Sequence, residues 1–529
     1  GSWKSDIGEK GFFSGAFRLA NEDGQSLMVK NALMGDTTLK DGINHAIDGD
    51  MFFSYDNFNS YLKVSNQLRK TFTGFNGINP SDNDKLNLFM YAYSLGADYS
   101  YNILDNLQIK ASAGTHFDNW TEVARIPIFK VNEKGDSLIY DKNGVPVLDD
   151  TIEVKRDGKT LKTPFIIDGQ GGDTRTLEAE AQLTYNYFEK NNLIFGINAI
   201  NDQIIGAKRP TELQIEPFKI IEFKELTDTT NNWLFDPTAS RNTIGAYSQI
   251  DYNLYDSLFL NAGARLDLYS GTGKLSGQSY NEFNPRAGLV YKNPFLGNLK
   301  LLFGRATRVP NGFEALSSVA ILGSPTRRPE RISTLQSQWT KNWTDSFRTE
   351  FGGFYTMISN RLITDANVSE AQKAKGFIGQ FINVKDDVIQ QSSGIDGKTI
   401  FQFGDIITEL NFTHYLYTND GTGNQLSYIP KLMLNGNINI PISWFNLNIG
   451  ANYRGLFTQP ASDKREPIQQ YLLLNATGIV KLPDFPIELS LGARNILNTK
   501  VRYPSSSQDF VDNFPGRGIE LWTNLSYIY

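Results

Sequence analysis

Three histidines, His45, His116 and His414, are the only imidazoles in the 529 residues, and none lies at metal-ligand spacing from another. His116 falls on the polar side of an alternating segment and reads as a satisfied structural histidine. Cysteine is absent, which removes thiolate nucleophiles, thiolate metal sites and disulfides and is compatible with an oxidising envelope. No Gly-x-Ser-x-Gly or Walker sequence occurs. Gly271-Thr-Gly273 and Gly421-Thr-Gly423 sit in connections rather than opening a helix after a strand, so turn chemistry explains them better than phosphate binding. The acidic pieces Asp149-Asp150 and Asp168 to Asp173 lack the ordered ligand spacing of a calcium loop and read as solvated charge. The residues therefore predict no catalytic group, no metal and no cofactor.

The charged residues that do form a pattern are Lys110, Glu178, Glu180, Arg265, Asp267, Glu488 and Arg494. Each stands on one side of a segment whose other side is apolar. In Leu258 to Leu268 one face reads Leu258, Leu260, Ala262, Ala264, Leu266, Leu268, and the other reads Phe259, Asn261, Gly263, Arg265, Asp267. Leu177 to Tyr187 and Ile487 to Arg494 divide in the same way. Period-two alternation is the mark of a strand with one apolar and one polar face.

About 20 such segments follow one another from Gly11 to Tyr529, with no boundary or linker, and no apolar run approaches the length of a membrane helix. A spanning strand needs only about ten residues, half of them apolar. Hydrophobic content of 40% therefore fits a large membrane barrel, and aromatic content of 12% is enough for two interfacial girdles. Turn lengths separate this from a sandwich or propeller. Tight connections near Tyr55 to Asn57, Ile103 to Asn106, Glu189 to Asn192, Tyr255 to Ser257, Asn293 to Gly297, Trp343 to Asp345, Asp396 to Lys398, Pro441 to Ser443 and Pro483 to Phe485 alternate with long ones. The long ones are Thr73 to Asp84, Pro127 to Thr174, Pro210 to Ser240, Gly271 to Asn281, Pro310 to Pro329, Arg361 to Gly376, Asp420 to Gln425, Thr458 to Pro467 and Arg502 to Gly516. Short turns on one rim and long loops on the other are the habit of bacterial outer-membrane barrels. Residues 1–529 thus read as one all-β domain, a large antiparallel transmembrane β-barrel with short periplasmic turns and long extracellular loops. The lumen-parity charges would be costly on the lipid side, where a midplane Lys or Arg costs about 2 to 4 kcal/mol. Inside, they can pair across strands or meet a plug.

The longest connection, 127–174, contains Asn143-Gly144 between Ser137 to Tyr140 and Val145 to Leu148, and so predicts a β-hairpin above the rim. Pro310 to Phe313, with Phe313 itself, and Trp233 are aromatic candidates for ligand capture at the long-loop mouth. Net charge of -6 and the lack of a basic run argue against nucleic acid as a partner.

Four stretches resemble the barrel of TonB-dependent outer-membrane receptors. They are Gly245 to Tyr252 followed by Ala262 to Asp267; Asn284 to Tyr291 with Gly304 to Pro310; Arg328-Pro-Glu-Arg331; and Ala493 to Asn498 with Pro515-Gly-Arg517 and the aromatic-terminated last strand. Together they cover Gly245 to Tyr529, while the first half matches in rhythm alone. The resemblance places Arg305 and Arg308 at the mouth. It implies roughly 22 strands, so that the chain begins near the third with Trp3 to Ile7 as the tail of the second. It further implies a plug domain lying before residue 1 or on another chain, a TonB energising complex as partner, outer-membrane lipid around the wall of a Gram-negative bacterium, and import of a scarce small-molecule or oligomeric ligand such as a siderophore, vitamin, saccharide or peptide. A passive porin-like channel and a soluble extracellular carbohydrate-binding β protein are the alternatives.

Overall fold

The computed structural model describes residues 2–22, 26–31, 35–40, 42–70, 87–128, 130, 132, 139, 141–142, 147–151, 153–156, 159–187, 191–208, 213–216, 219–223, 239–316, 318–319, 321–365, 367–374, 379–385, 387–460, 463, 465–482, 485–504 and 512–527. One sheet of 21 strands takes up the chain in sequence order, each strand antiparallel to the next. Its first half is β1 (Ser2–Ile7), β2 (Gly11–Glu22), β3 (Gly42–Tyr55), β4 (Phe58–Lys70), β5 (Asn87–Leu104), β6 (Leu107–Pro127), β7 (Phe165–Tyr187), β8 (Asn191–Lys208), β9 (Ser240–Tyr255) and β10 (Leu258–Thr272). There follow β11 (Ser279–Asn293), β12 (Gly297–Arg308), β13 (Glu330–Thr344), β14 (Phe347–Ser359), β15 (Gln390–Phe403) and β16 (Ile406–Asn419). The last are β17 (Leu432–Ile442), β18 (Phe445–Arg454), β19 (Tyr471–Lys481), β20 (Ile487–Arg494) and β21 (Glu520–Tyr527). This is the all-β antiparallel barrel that the alternation predicts, one strand above the count of about 20. The addition is Ser2–Ile7, paired with β2 from Ser2↔Ala16 to Ile7↔Gly11.

Packing is inverted relative to a water-soluble domain. Leu266, Leu491 and Leu525 are 42%, 54% and 72% exposed on the outer face, while the polar residues beside them, Asp267 and Ser490, are buried at 4% and 6%. A monomer in water rarely leaves a contiguous apolar belt bare; around a barrel the belt faces lipid tails. The described residues include no helix long and apolar enough to cross a membrane. The fully buried apolar side chains among the described residues are Ala46, Ala239, Leu275, Ala315, Val368, Val384, Ile468 and Val501. All but Ala46 lie in the long connections. Ordinary hydrophobic cores are therefore found at the loop rim, and the wall is held by its ladders.

Two expectations about connections are corrected. Asp396 to Lys398 is not a turn: it lies inside β15, with Asp396 opposite Gly352 and Thr413 and Gly397 opposite Phe351 and Phe412. Gly397 is there because the Phe412 ring occupies the space a Cβ would fill, a use of glycine that an Asp-Gly pair in sequence does not distinguish from a turn. The tight connection is at Gly404-Asp405, where Gly404 has φ +58°. The 127–174 connection is also shorter than expected, because the β6–β7 ladder runs up to Pro127↔Phe165. Asp168 to Asp173 consequently belongs to β7 and not to a loop. Asn143-Gly144 lies outside the described residues; a backbone bond joins Val147 to Ile139 on either side of it. A described hairpin in this connection pairs Glu153–Arg156 with Lys159–Lys162. Another pairs Ser26–Asn31 with Gly35–Lys40 between β2 and β3.

Candidate functional site

The long-loop end of the wall from β7 to β14 carries a network of buried ion pairs and hydrogen bonds. β11 and β12 are paired only as far as Arg286↔Gly304. Above that level β12 keeps its ladder with β13 alone, and the Arg305 guanidinium reaches Glu282 past the end of β11 that β12 leaves unpaired. The Glu282 carboxylate, 1% exposed, accepts Arg331 Nε at 2.8 Å and Nη2 at 2.9 Å, has Arg305 Nη2 at 3.6 Å, and takes the Thr307 hydroxyl at 3.3 Å. A buried carboxylate needs such partners, because leaving it unpaired costs several kcal/mol.

Arg308 forms the second node. Its guanidinium donates to Glu330 and, with two parallel bonds of 3.0 Å each, to Glu314. Glu314 belongs to the short helix α1 (Gly312–Leu316) and closes a reciprocal cap: Asn311 N–H donates to Glu314 at 2.9 Å and Glu314 N–H donates to Asn311 Oδ1 at 2.9 Å. Arg308 thus fastens α1 to the wall. Phe313, carried by α1, is 38% exposed and meets Phe381 edge-on at 5.6 Å. Asn383 ties the neighbouring connection in, donating to the carbonyls of Arg328 and Asn360 at 2.9 and 2.8 Å.

Beside α1 a cavity of about 380 Å³ opens between β7, β8, β9, the turn after β10 and Pro310 to Phe313. Arg241 crosses it, donating to Asp202 at 3.1 Å and to the Pro310 carbonyl at 3.0 Å; Arg175 donates to Gln203 at 2.8 Å. Leu275 and Ile204 line it and belong to a small apolar cluster with Ala239, Ala315 and Leu316.

Below the mouth, the lumen-parity residues occupy the polar face. Arg265 binds Asp267 and Asn198, each at 2.7 Å. Glu180 accepts the Tyr247 hydroxyl at 2.6 Å, and Lys110 lies 3.5 Å from Asp98. The Glu178 carboxylate lies against Gly114, 3.1 Å from where a Cβ there would stand. Glu488 is opposite Lys481 and Ser526. Arg494 is opposite Glu520 and lines a separate mouth cavity of about 520 Å³ between β19, β20 and β21. The structure therefore brings Arg305, Arg308 and Phe313 to one end of the wall and spreads the other seven around and down the lumen. Trp233 lies outside the described residues. His116 is held between Ser94 Oγ and Asp118, at 2.7 Å on each side, as a structural histidine should be.

The remaining sequence candidates resolve as turns and paired charge. Gly421 and Gly423 take φ of +92° and +98°, and their turn is tied by Asn419 and Asp420 side chains accepting backbone N–H groups. Asp149 accepts from Thr151, and Asp150 pairs with Lys130 at 3.1 Å. Among the described residues no cluster of acidic groups and histidines could hold a metal ion.

Sequence reasoning missed a third loop clasp. Asp463, in the connection between β18 and β19, accepts Arg465 at 2.6 Å and the Tyr428 hydroxyl at 2.8 Å. Hydrogen bonds from the Arg465 guanidinium hold the Asp463 carboxyl well below the usual carboxylate range, and burial and the Asp463 charge push the Tyr428 hydroxyl up. Asp-x-Arg spacing in a loop gives no sign of this, since the third member comes from a connection 35 residues away. Asp202 and Arg241 were legible in principle as polar residues at the upper ends of lumen faces; Arg175, in the row of Leu177 and Ala179, was not, and Gln278 carried no signal.

The family model described as TonB dependent receptor-like, beta-barrel matches residues 36–496. Among curated proteins, the sequence finds no match. Among solved structures, a mutant of the ferric enterobactin receptor (PfeA) from Pseudomonas aeruginosa is similar with a TM-score of 0.69 at 14% identity, over 99% of this chain and 76% of that one. The copper transporter OprC gives 0.69 at 13% identity, over 99% and 78%, and the siderophore receptor PirA from Acinetobacter baumannii 0.69 at 13%, over 99% and 76%. At these identities the likeness is one of fold.

Proposed function

The chain belongs to the family of TonB-dependent receptor-like β-barrels, and from this premise we propose that it forms the wall of an active importer in the outer membrane of a Gram-negative bacterium. The cargo is a scarce small-molecule or oligomeric ligand captured at the long-loop rim; energy arrives from the inner membrane through the TonB complex acting on a plug domain. Family and fold neighbours are receptors and transporters, so the protein is not an enzyme.

One observation supports import more than passive diffusion: the mouth is built as a fixed, cross-linked surface. Arg308 with Glu314 and Glu330 holds α1 and its Phe313 in place, and Glu282 with Arg305 and Arg331 cross-links the neighbouring strand ends. A diffusion pore needs a polar lining but gains nothing from holding concave aromatic and charged groups rigid, whereas capture at low concentration depends on preorganisation. By analogy with the solved receptors, ferric chelates and copper are the first ligands to try.

The test is uptake by cells lacking the gene and by complemented cells, across labelled ferric catecholate, copper, oligosaccharide and peptide. Uptake of one of these should be lost on deletion and restored by complementation. Collapse of the inner-membrane proton gradient should abolish it; uptake that survives this treatment overturns the proposal in favour of a passive channel.

A further inference from the structure

We propose that the cavity between β7, β8, β9 and α1 is a binding subsite for a hydroxyl-bearing organic carboxylate of about the size of one acidic sugar residue. Its volume of about 380 Å³ is at the small end of ligand pockets. Binding at this piece of wall is separate from transport and does not depend on energised uptake.

Charge fixes the sign of the ligand. Arg175 and Arg241 line the cavity with Asp202 as the carboxylate among its lining residues, and Asp202 is engaged by Arg241 and by the Thr176 hydroxyl. One positive charge is left over among the described lining residues, where Arg175 donates to the neutral amide of Gln203. A single carboxylate balances the site, and a guanidinium is suited to that geometry.

Hydrogen-bonding capacity fixes the second requirement. Gln278 lines the cavity from the turn after β10 and is 1% exposed, yet both its amide oxygen and its amide nitrogen stand without a partner among the described residues. Each buried unmet group costs about 1–3 kcal/mol. The Nε atoms of Arg175 and Arg241 are likewise buried and without a partner among the described residues. An amide that swings onto the cavity offers one donor and one acceptor, which a hydroxyl next to a carboxylate satisfies together. The apolar wall of Ile204, Leu275, Pro310 and Phe313 suits the face of a pyranose ring.

Trp120 lines the same cavity and reports on it. The detergent-purified full chain is titrated with glucuronate, with glucose and with inorganic phosphate, followed by calorimetry and tryptophan fluorescence. Glucuronate should bind at least about tenfold more tightly than glucose, a difference of one charge-assisted bond, and more tightly than phosphate, which has no ring for the apolar wall. The fluorescence change should vanish in Trp120→Phe while calorimetric binding persists. Gln278→Leu should weaken glucuronate about tenfold with no loss of thermal stability, because it removes two unmet polar atoms and no bond. Arg175→Met should abolish the preference over glucose. Equal binding of glucuronate and glucose, binding unchanged in Gln278→Leu, or a fluorescence signal that survives Trp120→Phe would each overturn the assignment. Failure of uptake with intact glucuronate binding would count against the transport reading alone.

Discussion

Leu301 and Leu302 are identical side chains one residue apart, and replacing each by arginine asks the wall which side is lipid. Leu301 stands opposite Leu289 and Ser337 and is 49% exposed among Leu299 and Phe303 on the outer face. Leu302 stands opposite Gly288 and Gln336, in the row that also carries Lys300 and Gln338. At ~3.4 Å per residue, Leu301 lies roughly 14 Å along β12 from its short turn, and with a tilt of about 40° this is about 10 Å of height, close to the middle of an apolar band ~25 Å tall. Arginine at that depth costs about 2–4 kcal/mol, a factor of roughly 30 to 900 in the folding equilibrium. In the lumen the same guanidinium meets water and glutamine amides, and its stem can cover Gly288 as Leu302 does. Leu302→Arg is therefore expected within about 1 kcal/mol of the parent. The assay is guanidinium-dependent folding into phospholipid vesicles, read by heat-modifiable gel mobility. Equal destabilisation of the two variants, or a larger effect at Leu302, would refute the assignment of faces.

Other outcomes follow from the mouth and loops. Glu282→Gln removes the carboxylate that Arg305 and Arg331 share and should cost about 1–3 kcal/mol locally, seen as faster protease nicking of the 309–329 connection with the barrel still folded. Gly397→Ala places a methyl against the Phe412 ring and should destabilise by about 1–3 kcal/mol, whereas Gly404→Ala, with open space but φ of +58°, should cost about 1–2 kcal/mol; guanidinium melts compare the two. The depressed carboxyl of Asp463 means that its clasp contributes stability above the ordinary aspartate range and loses it only as pH falls through the lower folded value. Hydrogen exchange of residues 426–431, corrected for intrinsic rate, should thus show the same protection at pH 7 and pH 5, and Asp463→Asn should lose it at both. Leu491→Arg should impair insertion, while Ser490→Arg keeps the correct face; because Ser490 is 6% exposed, a modest packing cost of about 1–3 kcal/mol is expected there too, measured by the same vesicle assay.

The wall was legible because its information is local. Alternation at Leu258 to Leu268 gives the faces of β10 without knowledge of any neighbour, and the ladder to β9 sets Arg265 opposite Tyr247 as parity requires. Asp396-Gly397 misled because a glycine under a ring and a glycine in a turn are the same letter. The mouth was legible only in part. Arg305, Arg308 and Phe313 fall in one short stretch, but their partners Glu282 and Glu330 come from other strands, and Gln278 acquires meaning only when a turn folds inward over Leu275 and Ala315.

The concentration of buried apolar side chains in the long connections implies that one chain is held together by two solvents. Leu275 and Ala315 owe their burial to exclusion from water, so trimming such a leucine to alanine should carry the usual cavity cost of about 2–5 kcal/mol. Leu491 keeps the same surroundings whether the next carbon belongs to protein or to a lipid tail, and an alanine there leaves a gap that the bilayer fills. Loop leucines should therefore be constrained by shape, and wall leucines by little more than being greasy.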